Sequence, residues 1–198
     1  MPTANPRWKL ALDVERCIGC HACSVACKVE NNVPLARFRT KVYYWEHGTY
    51  PKVTRNFLPT LCMQCEDAPC IGVCPVGATF HTPDGIVLID EDRCIGCGYC
   101  IVACPYGARY IVPAGGDMPR GVPGVADKCT LCYHRISTGG RPACVEACPV
   151  GARAFGDLND PTSSVSVTLR KKPTMVLKGA LGTKPRVYYV GLEGEAMA

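Results

Sequence analysis

Sixteen cysteines dominate the chemistry open to this 198-residue chain, and they fall into four groups of four. One group, Cys94, Cys97, Cys100 and Cys104 followed by Pro105, reads C-x2-C-x2-C-x3-C-P. That is the spacing by which thiolates hold a 4Fe–4S cubane. Three thiolates reach one small cluster from a single tight loop only when they stand two residues apart. Gly96 and Gly98 let backbone N–H groups come close to its sulfurs. The fourth cysteine lies a helical turn further on and points to a second cluster, so a motif of this kind needs a mate.

Three further groups supply mates. Cys17, Cys20, Cys23 and Cys27 repeat the same spacing, and the match extends upstream. Leu10 to Asp13 leads to Arg16-Cys17-Ile18-Gly19-Cys20 as Val87 to Asp90 leads to Arg93-Cys94-Ile95-Gly96-Cys97. Each predicts a short strand feeding a cluster loop, and together they are an internal repeat. One departure stands out: Lys28 follows Cys27 where the other groups have proline. The second group is Cys62, Cys65, Cys70 and Cys74, then Pro75, with two extra residues in its loop. After it, Thr79 to His81 and Gly85 to Ile89 flank Pro83-Asp84-Gly85, a predicted hairpin that delivers the chain to Cys94. The last group, Cys129, Cys132, Cys144 and Cys148, ends in the same C-x3-C-P but has a long insertion between its halves. The simplest topology makes Cys62 to Cys104 a contiguous two-cluster unit. Groups one and four then pair as a second unit, into which the first is inserted. The expected fold is α+β, loop-rich, two ferredoxin-like units held by four clusters.

The elements that must position these residues are short. Apolar residues make up 47% of the chain, but the count includes all the cysteines; without them it falls to roughly 39%, a thin supply for a core. Clustered C-x2-C pairs suit metal ligation better than a disulfide framework. The formal charge of +5 treats every cysteine as neutral. Sixteen thiolates around four cores of about +2 each bring the balance to about −3, so the basic excess offsets cluster charge and implies no nucleic-acid partner. No export signal is expected at Met1 to Trp8, and no apolar run is long enough for a membrane span. Lys41 to Tyr50 reads as a strand entering a glycine turn in an insertion hairpin, with His47 a polar turn residue. Residues 113–125 read as an irregular Pro- and Gly-rich connection. Met63 and His81 read as packing and surface residues, and His21 as an exposed spacer. Asp160 to Ser164 reads as a helix start, and Val187 to Val190 as a short strand. The expected divisions are 1–61, the first half of the outer unit with its insertion; 62–112, the inserted unit; 113–155, the second half; and 156–198, a partner-binding tail. The tail holds no cysteine, so deleting residues 165–198 is expected to release the chain from its partners while leaving the clusters intact.

The four groups, the Cys132-Tyr133-His134-Arg135 segment, the run from Phe155 to Pro161 and the terminal Gly182-Thr183-Lys184-Pro185 resemble one family. It is the four-cluster iron–sulfur electron-transfer subunit of membrane-bound molybdopterin oxidoreductases, of the polysulfide, thiosulfate or tetrathionate reductase and dimethyl sulfoxide reductase type. Nitrate reductase relatives replace the second cysteine of the third group with tryptophan; this chain keeps Cys97. The resemblance implies four 4Fe–4S clusters in a row and no substrate chemistry in this subunit. It implies a ligand crossing: Cys17, Cys20, Cys23 and Cys148 at cluster a; Cys27, Cys129, Cys132 and Cys144 at cluster b; Cys62, Cys65, Cys70 and Cys104 at cluster c; Cys74, Cys94, Cys97 and Cys100 at cluster d. It also implies a molybdopterin catalytic subunit and a polytopic, quinol-binding membrane subunit as partners in a heterotrimer. The outer, periplasmic face of the inner membrane is the expected location, reached through a partner. Arg16, Arg93, Arg109, Arg135 and Arg153 are candidate tuners of cluster potential. A four-site zinc protein, a free polyferredoxin, and an electron-transfer subunit of a formate dehydrogenase or hydrogenase are the alternatives.

Overall fold

A computed structural model of the chain describes residues 6–113 and 123–192, so most of the connection expected at 113–125 lies outside the described residues. The elements in order are β1 (Trp8–Asp13), α1 (Ala22–Asn31), β2 (Thr40–Thr49), β3 (Lys52–Leu61), α2 (Pro69–Gly72), β4 (Thr79–His81), β5 (Val87–Ile89), α3 (Tyr99–Val102), β6 (Arg109–Ile111), β7 (Ala126–Lys128), α4 (Tyr133–Ile136), α5 (Ala143–Glu146), β8 (Arg153–Asp157), α6 (Ser164–Lys171), β9 (Thr174–Met175) and β10 (Val187–Val190). Strands and helices are both present, and apart from α1, β2, β3 and α6 they have no more than six residues, an α+β fold.

Proline decides where the cluster helices stop. Helices α2, α3 and α5 have four residues each, and each is followed by a Cys-Pro pair. Proline disfavours the helical conformation in the residue before it and lacks the N–H that a helix would use. The chain leaves each of these helices through the same turn, in which Gly77, Gly107 and Gly151 donate to the carbonyls of Cys74, Cys104 and Cys148. Lys28 imposes no such stop, and α1 runs on to Asn31, where Asn32 closes it in the left-handed region. The Lys28 ammonium then donates to the carbonyls of Pro34 at 2.7 Å and Arg37 at 2.8 Å, clipping the following loop.

The internal repeat is visible in the backbone. Gly19 and Gly96, at matching positions in the two C-x2-C turns, both have positive φ, 68° and 69°. Space matters there as well as conformation: a β-carbon at Gly19 would meet Phe57 Cε1 at 2.2 Å, and one at Gly96 would meet the Gly124 carbonyl oxygen at 2.1 Å.

A four-stranded sheet, in the order β8-β1-β10-β9, carries the main core. β1 is antiparallel to β8, with Leu10 opposite Phe155, and parallel to β10, with Leu12 opposite Tyr189. The remaining strands form three two-stranded ribbons, β2-β3, β4-β5 and β6-β7. The β4-β5 ribbon turns through Asp84 and Gly85 as the sequence predicts. Trp8 Nε1 donates to Asp84 Oδ2 at 2.9 Å and Arg186 Nη1 to the Asp84 carbonyl at 3.0 Å, which ties that ribbon to the large sheet. The long β2-β3 hairpin buries Val42, Leu58 and Leu61 at its base and exposes Tyr43, Tyr44, Tyr50 and Val53 further out.

The segment after residue 155 is part of the fold rather than a detachable tail. Ser163 caps α6 as expected, its Oγ accepting from the Ser166 N–H. Strand β10 lies between β1 and β9 with Val187, Tyr189 and Val190 buried. The stretch just before it braces the second cysteine loop: Glu66 and Asp67 N–H groups donate to the carbonyls of Lys184 and Thr183. Deleting residues 165–198 removes the buried strand β10 as well as exposed surface, so the expectation that such a deletion leaves the clusters intact is corrected, although no cysteine lies there. Burying each such side chain contributes about 1.5–3 kcal/mol. Losing three approaches the whole stability of a typical domain, about 5–15 kcal/mol. A chain truncated after residue 182 is expected to lose its cooperative thermal unfolding transition and its soluble yield.

Candidate metal centre

The packing of α1 on α5 brings together cysteines that are far apart in sequence. One cavity is lined by Cys17, Cys20, Cys23 and Cys148, closed by Ile18, Val42, Pro59, Pro149 and Arg153. A second is lined by Cys27, Cys129, Cys132 and Cys144, with Asn31, Arg39, Leu61, Leu131 and Pro142 around them. Cys148 thus stands with the first group, and Cys27 with the fourth. Cys23 and Cys27 lie on one face of α1 but are displaced along its axis by four residues, about 6 Å, enough for each to line a different cavity; Cys144 lies on α5, and Cys148 lies just beyond its end. Within the contiguous stretch, the Cys65 thiol interacts with those of Cys62, Cys70 and Cys104. Helix α2 packs on α3, and Cys70, Cys100 and Cys94 share one small apolar cluster.

Donors point at the sulfurs. The Leu131 N–H lies 3.3 Å from Cys129 Sγ and the Ala152 N–H 3.3 Å from Cys148 Sγ. Arg109 Nη2 donates to Cys70 Sγ at 2.9 Å, and Arg153 Nη2 to Cys23 Sγ at 3.1 Å. Asn31 Nδ2 reaches Cys27 Sγ at 3.6 Å, and Arg39 holds that amide in place by donating to Asn31 Oδ1 at 2.9 Å. Sequence reading passed over Asn31. The missing proline after Cys27 was the available signal, since it lets the helix run one turn further to this residue.

Burial pushes the Cys27 thiol up to about 12, with the neighbouring Cys144 adding to it. Burial likewise pushes Cys65 up to about 11 and raises Cys129 well above the ordinary thiol range. At Cys74 burial is outweighed by backbone N–H donors from Thr79, Ala78 and Val76, and the thiol is held below its usual value. Four thiolates in one apolar cavity need a positive centre among them. The opposite demand is also present: Lys128, Arg109 and Arg153 are buried to 1%, 5% and 5% exposure. Among the described residues none of the three forms an ion pair with a carboxylate, whereas the buried Lys9 pairs with Glu66 and Arg39 with Asp127. Arg153 Nη1 has no hydrogen-bond partner. Buried cations require an anion. A net-negative iron–sulfur cluster held by thiolates meets both demands, so these residues fit the group. Such a cluster supplies reversible one-electron oxidation and reduction.

The remaining candidates sort by environment. Cys20 and Cys97 are the exposed cysteines; nine others are buried and five partly so. Arg16 and Arg93 are surface anchors that donate to the carbonyls of Val150 and Val76, a matched pair from the repeat. Arg135 pairs with Glu30 and Glu146 at the surface. Met63 is buried packing, and His81 Nε2 meets the Cys65 carbonyl at 3.2 Å. His21 is exposed at the start of α1.

Comparison with known proteins agrees with this chemistry. A 4Fe–4S dicluster domain matches residues 53–158, and a second one matches residues 16–78. The chain is 45% identical over 191 residues to the B subunit of tetrathionate reductase from Salmonella typhimurium, covering 94% of this chain and 73% of that protein. It is 43% identical to a protein of Halobacterium salinarum named as the iron–sulfur B subunit of dimethyl sulfoxide reductase, covering 93% and 79%. It is 42% identical to the B chain of polysulfide reductase from Wolinella succinogenes, covering 90% and 91%.

Proposed function

This chain is a member of, and so belongs to, the family of 4Fe–4S iron–sulfur subunits of molybdopterin oxidoreductases, and on that premise we propose that it carries electrons between a quinol-oxidising membrane subunit and a molybdopterin catalytic subunit. It is an electron-transfer subunit and not the catalytic one. Relatives named for tetrathionate, dimethyl sulfoxide and polysulfide stand at similar identity, as expected if substrate choice resides in another subunit.

The ligand sets we propose are those of the ferredoxin crossing: Cys17, Cys20, Cys23 and Cys148 for cluster a; Cys27, Cys129, Cys132 and Cys144 for b; Cys62, Cys65, Cys70 and Cys104 for c; Cys74, Cys94, Cys97 and Cys100 for d. The observation that carries this reading is the pair of cavities in which four cysteines from opposite ends of the chain meet. The nested arrangement of units is supported by β1, before group one, pairing with β8, after group four, while β4 and β5 pair between groups two and three. The row runs a, b, c, d. Its two ends carry the exposed cysteines, Cys20 and Cys97. Each is surrounded in sequence by exposed apolar side chains, Ile18 and Val25 at one end and Ile95, Tyr99 and Val102 at the other. These are the two faces through which electrons enter and leave. In the segment after 155 the surface left for partners is its exposed part, not the buried strand. No helix among the described residues is long and apolar enough to cross a membrane, so attachment is through the membrane subunit, and we place the complex at the outer face.

Anaerobic purification followed by iron, acid-labile sulfide and subunit analysis tests the proposal. The expected result is about 16 iron per chain, no stable three-iron signal, and co-purification with a molybdopterin protein and a polytopic membrane protein. Zinc in place of iron would overturn the cofactor assignment. A lone soluble monomer with full iron would favour a free polyferredoxin.

A further inference from the structure

The buried cations without carboxylate partners are distributed along the row in a regular way. Arg153 donates to Cys23 Sγ of set a at 3.1 Å and also interacts with Cys144 of set b. Arg109 donates to Cys70 Sγ of set c at 2.9 Å and also interacts with Cys100 of set d. The two are the same device repeated. Each is the fifth residue after the last cysteine of its group, each contacts the third cysteine of the partner group, and each shares a threonine, Thr40 at 3.2 Å and Thr79 at 3.2 Å. The junction between sets b and c has its own cation. Lys128 Nζ donates to the Cys129 carbonyl at 2.9 Å and to the Val87 carbonyl, with Cys62 and Cys70 of set c beside it. Gln64, from the loop between Cys62 and Cys65, locks this junction: it donates to the same Cys129 carbonyl at 2.8 Å and accepts from the Val87 N–H at 2.8 Å.

We propose that Arg153, Lys128 and Arg109 form a file of fixed positive charges, one at each junction of the relay, and that each raises the reduction potential of the two clusters it separates. This rests on the cluster assignment above. Reduction adds one electron, hence one negative charge, to a cluster, and a cation in low dielectric stabilises the reduced form. Burial has the opposite effect, since it disfavours the more highly charged state. Every ligand of set b is buried, and in set c only Cys104 is partly exposed, whereas sets a and d each have an exposed cysteine. The inner clusters carry the larger burial penalty, and they face two cations each where the end clusters face one. The file thus keeps the interior of the relay from becoming an uphill step. Each transfer oxidises one cluster by one electron and reduces its neighbour by one, so the cations need to move no proton.

An EPR-monitored redox titration of the anaerobically purified chain, with iron determined on the same samples, tests the proposal. Arg153→Gln, Lys128→Met and Arg109→Gln each remove one charge. Each is expected to disfavour reduction at least tenfold, about 59 mV for a one-electron couple, at two of the four clusters, and less than twofold at the others. The affected pairs should overlap in a staircase, with one cluster shared by Arg153→Gln and Lys128→Met and another by Lys128→Met and Arg109→Gln. That pattern needs no prior assignment of signals. Fully loaded variants with unmoved potentials, or with all four shifted equally, would overturn it. Should a neutral variant load poorly, Arg153→Lys and Lys128→Arg decide. Potentials within threefold of the parent support a fixed charge, and tenfold losses in these charge-keeping variants reject it. A parent chain without four-iron clusters would instead defeat the cofactor reading.

Discussion

Cys27→Ala is expected to abolish, or convert to a three-iron form, the same cluster signal that Cys132→Ala abolishes, and to leave intact the signal lost in Cys23→Ala. The expectation runs against sequence proximity. Cys23 and Cys27 are neighbours on α1, while Cys132 is more than a hundred residues away. Geometry favours the distant partner: Cys27, Cys129, Cys132 and Cys144 line one cavity, and Cys23 lines the other with Cys17, Cys20 and Cys148. The combination of Cys27→Ala with Cys132→Ala should therefore lose one cluster, and that of Cys27→Ala with Cys23→Ala should lose two. Iron analysis and EPR of the three single and two double variants settle the matter. Loss of the same signal in Cys23→Ala and Cys27→Ala would reject the crossing.

Most of this site was legible because its chemistry is local in sequence. Thiolate spacing, the glycines between ligands and the proline after the fourth cysteine report tight loops and short helices directly. The repeat upstream of Cys17 and Cys94 gave β1 and β5 for the same reason. What stayed hidden depends on tertiary packing. Nothing near Lys128 in the sequence marks it as a buried cation, since an isolated lysine beside a cysteine reads equally well as a surface residue. The five arginines looked alike as candidates. Only the fold separates Arg109 and Arg153, which turn inward to sulfur, from Arg16 and Arg93, which reach backbone carbonyls at the surface. Strand β10 was legible as a strand but not as a central one, because its parallel partner β1 lies at the other end of the chain. Lys172, at the end of α6, likewise finds its partners near the other end of the chain, pairing with Asp13 at 2.9 Å and Glu15 at 3.1 Å.

Stripping iron with a chelator under reducing conditions is expected to unfold the chain rather than leave a native-like shell. The aliphatic core is thin, and the metal-free state would retain Lys128, Arg109 and Arg153 buried with no counter-charge. Leaving one partner of a buried ion pair uncompensated destabilises by about 3–5 kcal/mol. Three such sites reach about 10 kcal/mol, within the total stability of a typical domain. Protons then set the direction of reloading. Metal ligation needs thiolates, which the unfolded chain offers with an ordinary thiol value of about 8.5, whereas in any residual fold burial would push Cys27 up to about 12 and Cys65 up to about 11. A folded-state value raised above the unfolded one means that any residual metal-free structure is most stable below about pH 9 and loses that contribution as pH rises toward 11–12. The loaded chain has the opposite slope, because acid competes with iron for the same sulfurs. Circular dichroism should therefore show the iron-free chain without a cooperative thermal transition at neutral pH. Reconstitution with ferrous iron and sulfide should restore the transition more completely at pH 8.5 than at pH 6. A cooperative transition that survives complete removal of iron would mean that the sheet and its hairpins hold the fold without the clusters.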